Sequence, residues 1–286
     1  DVMTGWWRPC TASVVLAGAV VLSGVALQAH DMWIEPASFR PNTGDIVALR
    51  LRVGQDLLGD PLPHEGRLIE SFVIDDADGR RPVVGRDGGD PAGLVRVAST
   101  GLAVLGYHSR PSIVEMTAEK FAQYLDEEGL DAIAGQRRQR QQLSLAARDA
   151  FTRCAKSLVL TGQPSAAQHD RALGLPLELI AERNPYALGD DRDLPVRLTW
   201  QGRPLAGALV VAINRRKPGE KQRLRSDRDG RVVVHIDSGG TWLIKAVHMQ
   251  AAASGSGVDW ESYWASLTFA PEARPLSSAG VAGDRR

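Results

Sequence analysis

The chain is poor in cysteine, with only Cys10 and Cys154 among 286 residues. Cys10 falls in the leader described below. That leaves Cys154 as the only thiol of the processed chain and excludes an intramolecular disulfide, so stability has to come from packing. Neither sign of charge is in excess: 34 lysines and arginines face 34 aspartates and glutamates. The balance speaks against a nucleic-acid surface or a polybasic membrane anchor and for a partner that is small or locally charged. A Gly-rich phosphate loop, a G-x-S-x-G elbow, an H-E-x-x-H helix and a paired Cys-x-x-Cys are all missing, which removes several common enzyme mechanisms. Asp227-Arg228-Asp229-Gly230 starts like a calcium loop but lacks the terminal Glu and runs into a strand pattern, so it reads as a turn.

What is present begins with a leader. After one basic residue, Arg8, residues 12–26 are uncharged and apolar apart from two small hydroxyl side chains, and Ala29 offers a small residue for cleavage. The run is shorter than the roughly 20 residues a membrane-spanning helix needs. Leu27, three positions before the cut, is larger than the cleavage pattern prefers, and Cys10 stands on the wrong side of the run for a lipoprotein. Residues 1–29 are therefore expected to be a signal peptide, His30 the mature first residue, and the protein soluble and periplasmic.

The remainder is expected to be mainly β: two antiparallel β-sandwiches, Ig-like or transthyretin-like, with a helical insert between them. Residues 30–114 form the first, because Val47, Leu49, Leu51 and Val53 alternate with Arg50 and Arg52, and further short apolar runs are separated by Asp-Gly and Gly-Gly turns. Residues 115–165 form the insert. Thr117 caps a helix that uses Phe121, Tyr124 and Leu125 and stops near Gly129. A second helical stretch takes in the basic run 137–140, read as a solvated face, and continues through Ala147, Phe151, Cys154 and Leu158 to Gly162. Residues 166–270 form the second sandwich, with hairpin signals at 226–230 and 239–240, and residues 271–286 a disordered tail.

A mature N-terminal His offers one metal ion both an α-amine and an imidazole nitrogen. Their ordinary pKa values, near 8 and 6.5, let both lose protons for a metal around neutral pH. His248 is the best partner for His30 by local sequence, since it ends the strand face of Trp242, Ile244 and Ala246. A half-buried, hydrogen-bonded imidazole is the plainer reading of His248, and a frayed polar terminus that of His30. His108, at a strand end, and His64, in a Pro-containing loop, rank lower, while His169 and His235 read as surface residues. Asp31, Glu35, Asp259 and Glu261 are candidate ligands or acceptors that fix an imidazole tautomer, with surface solvation as the alternative. Cys154 reads as a small buried hydrophobe.

The string Ala29-His30-Asp31-Met32-Trp33-Ile34-Glu35-Pro36 resembles the mature start of a bacterial family of periplasmic domains of unknown function associated with nickel and cobalt uptake. Ser109-Arg110-Pro111, Glu119-Lys120-Phe121, Asn184-Pro185-Tyr186, the run 242–249 and the run 260–269 resemble its other blocks. The segment 202–208 is also similar to transthyretin-like modules of carboxypeptidases, which bears on fold rather than function. The resemblance implies export, an initial histidine, and a metal role carried by His30 and His248. The expected function is thus a periplasmic binder of nickel, cobalt or copper that serves a membrane metal permease, and not an enzyme. A non-catalytic adhesion or scaffolding module is the alternative, followed by a copper enzyme with an N-terminal histidine brace.

Overall fold

The computed structural model describes residues 30–237 and 239–272. The expected signal peptide, 1–29, and all but the first two residues of the expected tail lie outside the described residues. Strand takes 50% of the chain and helix 9%, which makes the fold mainly β. No helix among the described residues is long and apolar enough to cross a membrane.

The centre is a nine-stranded sheet. Its order runs β14 (Lys217–Arg225), β13 (Leu209–Asn214), β16 (Trp242–Ala251), β17 (Trp260–Phe269), β9 (Ala147–Thr161), β7 (Gly101–Ser109), β4 (Ile69–Asp76) and β5 (Gly79–Pro82), with β8 (Ser112–Met116) also pairing with β9. All these pairings are antiparallel except that of β17 with β9, which is parallel and joins the early strands to the late ones. Alternation along β16 and β17 sends side chains to two different cores. Ile244, Ala246, Ala265 and Leu267 face a second sheet made of β10 (Leu177–Ala181), β11 (Asp193–Trp200), β12 (Arg203–Pro204) and β15 (Arg231–His235). Val247, Met249, Trp260 and Trp264 face the opposite way, onto helices α1 (Ala118–Glu127) and α2 (Asp131–Gln139). A third sheet, of β1 (Asp31–Pro36), β2 (Ile46–Gln55), β3 (Leu58–Leu62) and β6 (Gly93–Arg96), covers β4, β7 and β9 on that same side.

The helix over 118–127 forms as its sequence predicts. The Thr117 hydroxyl oxygen accepts from the Lys120 N–H, and Phe121, Tyr124 and Leu125 are buried. Gly129 follows with φ +62, and a Cβ there would meet Leu209 at 2.9 Å.

Two expectations about the insert are corrected. The second helix ends at Gln139, and the segment carrying Ala147, Phe151, Cys154 and Leu158 is the 15-residue strand β9. From Thr152 to Thr161 every residue of β9 is buried. A strand covered on both faces loses its polar alternation, so apolar residues fall at helical spacing by coincidence. Arg137 is not a solvated residue either. It is 4% exposed, donates to the carbonyls of Gln142 and Leu145 at 2.6 Å each, and stands over the Phe121 ring at 4.8 Å.

Candidate functional site

His30 immediately precedes β1, whose ladder with β2 starts at the pair Asp31 and Gly54. Its backbone carbonyl accepts a hydrogen bond from Nη1 of Arg153 on β9. Its Nδ1 is shut off from solvent and has no hydrogen-bond partner among the described residues. Such an atom is costly unless something else satisfies it. The residue borders a cavity of about 100 Å³ together with Gln55, Met116, Lys120, Gln123, Tyr124 and Glu127. Lys120, Gln123 and Glu127 recur at helical spacing, so α1 offers them along one line.

A second cavity, of about 250 Å³, shares Gln55 and Glu127 with the first. Val211 and Ile213 of β13 supply its apolar lining. Lys245 of β16 lies there between Asp31, at 2.7 Å, and Glu128, at 2.8 Å. Burial works against the Lys245 charge, but the two carboxylates outweigh it and hold the ammonium above its ordinary range. Burial raises the Glu128 carboxyl, and the Lys245 charge offsets this only in part. Lys221, 2.5 Å from Asp56, and Arg223 complete the lining.

Behind His30 lies a buried polar group. Arg153 is 5% exposed and forms no ion pair among the described residues. Its guanidinium instead sits over the rings of Phe151, at 5.0 Å, and Trp264, at 5.2 Å. Burial lowers it to about 10. Tyr124 stacks on Trp264 with centroids 5.3 Å apart, and its hydroxyl is buried beside Ser262. The Ser262 hydroxyl donates to Asp149 at 2.6 Å and accepts from the Trp264 indole at 3.2 Å.

His248 lies on the other side of the sheet. It shares a face with Ile244 and Ala246, stands cross-strand from Tyr263, and has its ring 4.6 Å from that of Trp200. Burial lowers its imidazole below the ordinary value. His30 and His248 are therefore separated by the nine-stranded sheet and do not meet. His108 sits within β7, opposite Cys154, and is likewise lowered by burial. His64 lies with Nδ1 2.8 Å from the Ala92 carbonyl oxygen, which can only accept, so Nδ1 carries the proton. His235 is exposed beside Asp193, and His169 is exposed. Of the four carboxylates singled out, Asp31 is held by Lys245, Glu35 by Arg52 and Arg215, Asp259 by the Arg148 N–H, and Glu261 by Gln250.

Residues 27–250 match the family described as Domain of unknown function (DUF4198). The chain belongs to this family. No functionally curated protein matched it. The DUF4198 match takes in His30, both helices, Arg153, Lys245 and His248, and so covers the whole cleft side of the sheet except β17.

Among the described residues of this DUF4198 chain, no group of three or more His, Cys, Asp or Glu side chains is placed to hold a metal ion. A chelate at His30 would draw its second nitrogen from the backbone, which only cleavage would free, and the carboxylate lining its cavity is that of Glu127, which accepts from the Gln123 amide at 2.7 Å. Arg153, Glu128 and Lys245 are the residues that sequence reasoning passed over. A partial signal was there for Lys245, which follows Trp242, Leu243 and Ile244 in β16, since a charge in an apolar run needs a buried partner or a task; Arg153 has Thr152 beside it and Asp149, Lys156 and Ser157 in the same strand, and gives no such signal.

Proposed function

We propose that this DUF4198 protein is an exported, non-catalytic binder of a divalent transition metal, held by the α-amine and Nδ1 of His30 once residues 1–29 are removed. The single observation that carries the reading is the His30 imidazole, whose Nδ1 is closed to solvent and, among the described residues, unpartnered beside the cavity it shares with Glu127. A nitrogen pair with one carboxylate suits nickel, cobalt and copper alike, and the affinity order rises from cobalt through nickel to copper. Nickel and cobalt are preferred on the family resemblance, and the same resemblance supports a periplasmic role of handing the metal to a membrane permease. His248 is left out of the ligand set because it lies across the sheet. A histidine brace needs a second imidazole opposite His30, and His248 does not supply it. We also read the two large cores as two sandwiches, 30–114 and 166–270, Ig-like or transthyretin-like, that share the central sheet.

The test is a metal titration of the protein with an authentic His30 terminus beside one extended by a single N-terminal residue, and beside His30→Ala and His248→Ala. One equivalent bound by the authentic and His248→Ala proteins, and lost in the other two, is expected. Equal binding by the authentic and extended forms overturns the reading.

A further inference from the structure

We infer that Arg153 is the positioning residue that fixes the processed N-terminus, and with it the two nitrogens of His30, at the mouth of the cleft. This rests on the reading of His30 as the metal-binding residue. The β1 ladder begins at Asp31, so His30 has no ladder bond to hold it, and a first residue of that kind frays unless something ties it down. The Arg153 guanidinium does so by donating to the His30 carbonyl oxygen from β9, across 123 positions of chain. Asp31 and Asp149 act on its charge only from beyond ion-pair distance. A buried guanidinium is normally matched by a carboxylate, and Arg153 has none within ion-pair distance among the described residues. Two rings, Phe151 and Trp264, stand under it, and the backbone N–H of Arg153 donates to the Ser109 hydroxyl at 2.9 Å. Rings and backbone together hold the fork in one orientation, with its Nη1 aimed at the terminal carbonyl.

Anchoring of this kind lowers the cost of ordering a ligand residue when the ligand arrives. The His30 carbonyl is three bonds from the α-nitrogen, so fixing it leaves the amine and Nδ1 few ways to point.

The experiment uses the metal-free protein with an authentic His30 terminus, and reads the His30 imidazole by NMR, assigned through His30→Ala. In the wild type the signal is expected away from the position of a free terminal histidine, with the restricted mobility of an ordered side chain. In Arg153→Gln it should move to the free position while the other five histidine signals, which report the fold, stay in place; Arg153→Lys should recover part of the shift. Nickel affinity should fall roughly 10–100-fold in Arg153→Gln, the range seen when a residue supporting a metal ligand is lost. A wild-type His30 signal that is already free and mobile overturns the inference without any variant, and so does an unchanged signal in a folded Arg153→Gln. If nickel fails to bind the wild type while the His30 signal still depends on Arg153, the anchor stands and the metal reading falls.

Discussion

Lys245 places its ammonium 2.7 Å from Asp31 and 2.8 Å from Glu128, one cation between two acids whose side chains are only 6% and 8% exposed. The three groups come from β16, β1 and the end of α1, so this contact ties the His30 end of the chain to the sheet and the helix at once. Replacing Lys245 by Met removes the cation and leaves two carboxylates buried together. The loss should be about 3–5 kcal/mol, the usual cost of breaking a buried pair from one side. The deficit should shrink as pH falls, because protons then do what the ammonium did. Urea unfolding of both proteins at pH 7.5 and pH 5 checks this, and a variant as stable as the wild type at both refutes it.

Cys154 gives the second prediction. It is 1% exposed, and burial pushes its thiol up to about 12. Thiolate, not thiol, is the attacking form. The native protein should therefore leave a disulfide reagent unreacted over hours at pH 8 and give one equivalent of reaction once unfolded. Rapid reaction of the native thiol would show that β9 opens far more readily than its burial implies.

Much of the fold was legible because its signals are local. Val47, Leu49 and Leu51 alternate into the core of β2, and Thr117, Phe121, Tyr124 and Gly129 mark out α1 by cap, stripe and stop. The strand 147–161 was not, because both its faces are covered by partners from distant parts of the chain. Register across a sheet decides the site in the same way. His248 looked like a partner for His30 on a strand face, but which side of β16 that face meets is fixed by β10 and β11, more than 45 positions earlier. Lys156 shows the limit most plainly. It lies fully inside, 2.9 Å from Asp170 and 3.1 Å from Glu178, and neither partner can be picked from spacing alone.

Asp149 carries a pH dependence. Its carboxyl is 1% exposed, and burial pushes it from the ordinary 3.8 up to about 7, although the Ser262 hydroxyl donating to it pulls the other way. The native state thus keeps a proton on Asp149 that the unfolded chain gives up near pH 4. Stability falls as pH rises wherever the native state binds more protons than the unfolded one. For Asp149 that window runs from about pH 4 to about pH 7, and the contribution is flat on either side of it. At 1.36 kcal/mol per pH unit the gap corresponds to roughly 4 kcal/mol. Glu128 and Asp170 are raised in the same direction by burial, so the wild-type curve alone does not isolate Asp149. Asp149→Asn does, because the amide keeps an oxygen for Ser262 and has nothing to ionise. Measured against this variant, the wild type should lose ground steadily between pH 4 and pH 7 and no further above it. A difference that stays constant across the range would mean that Asp149 is ionised in the folded protein, with its free oxygen satisfied by a partner such as the nearby Arg153.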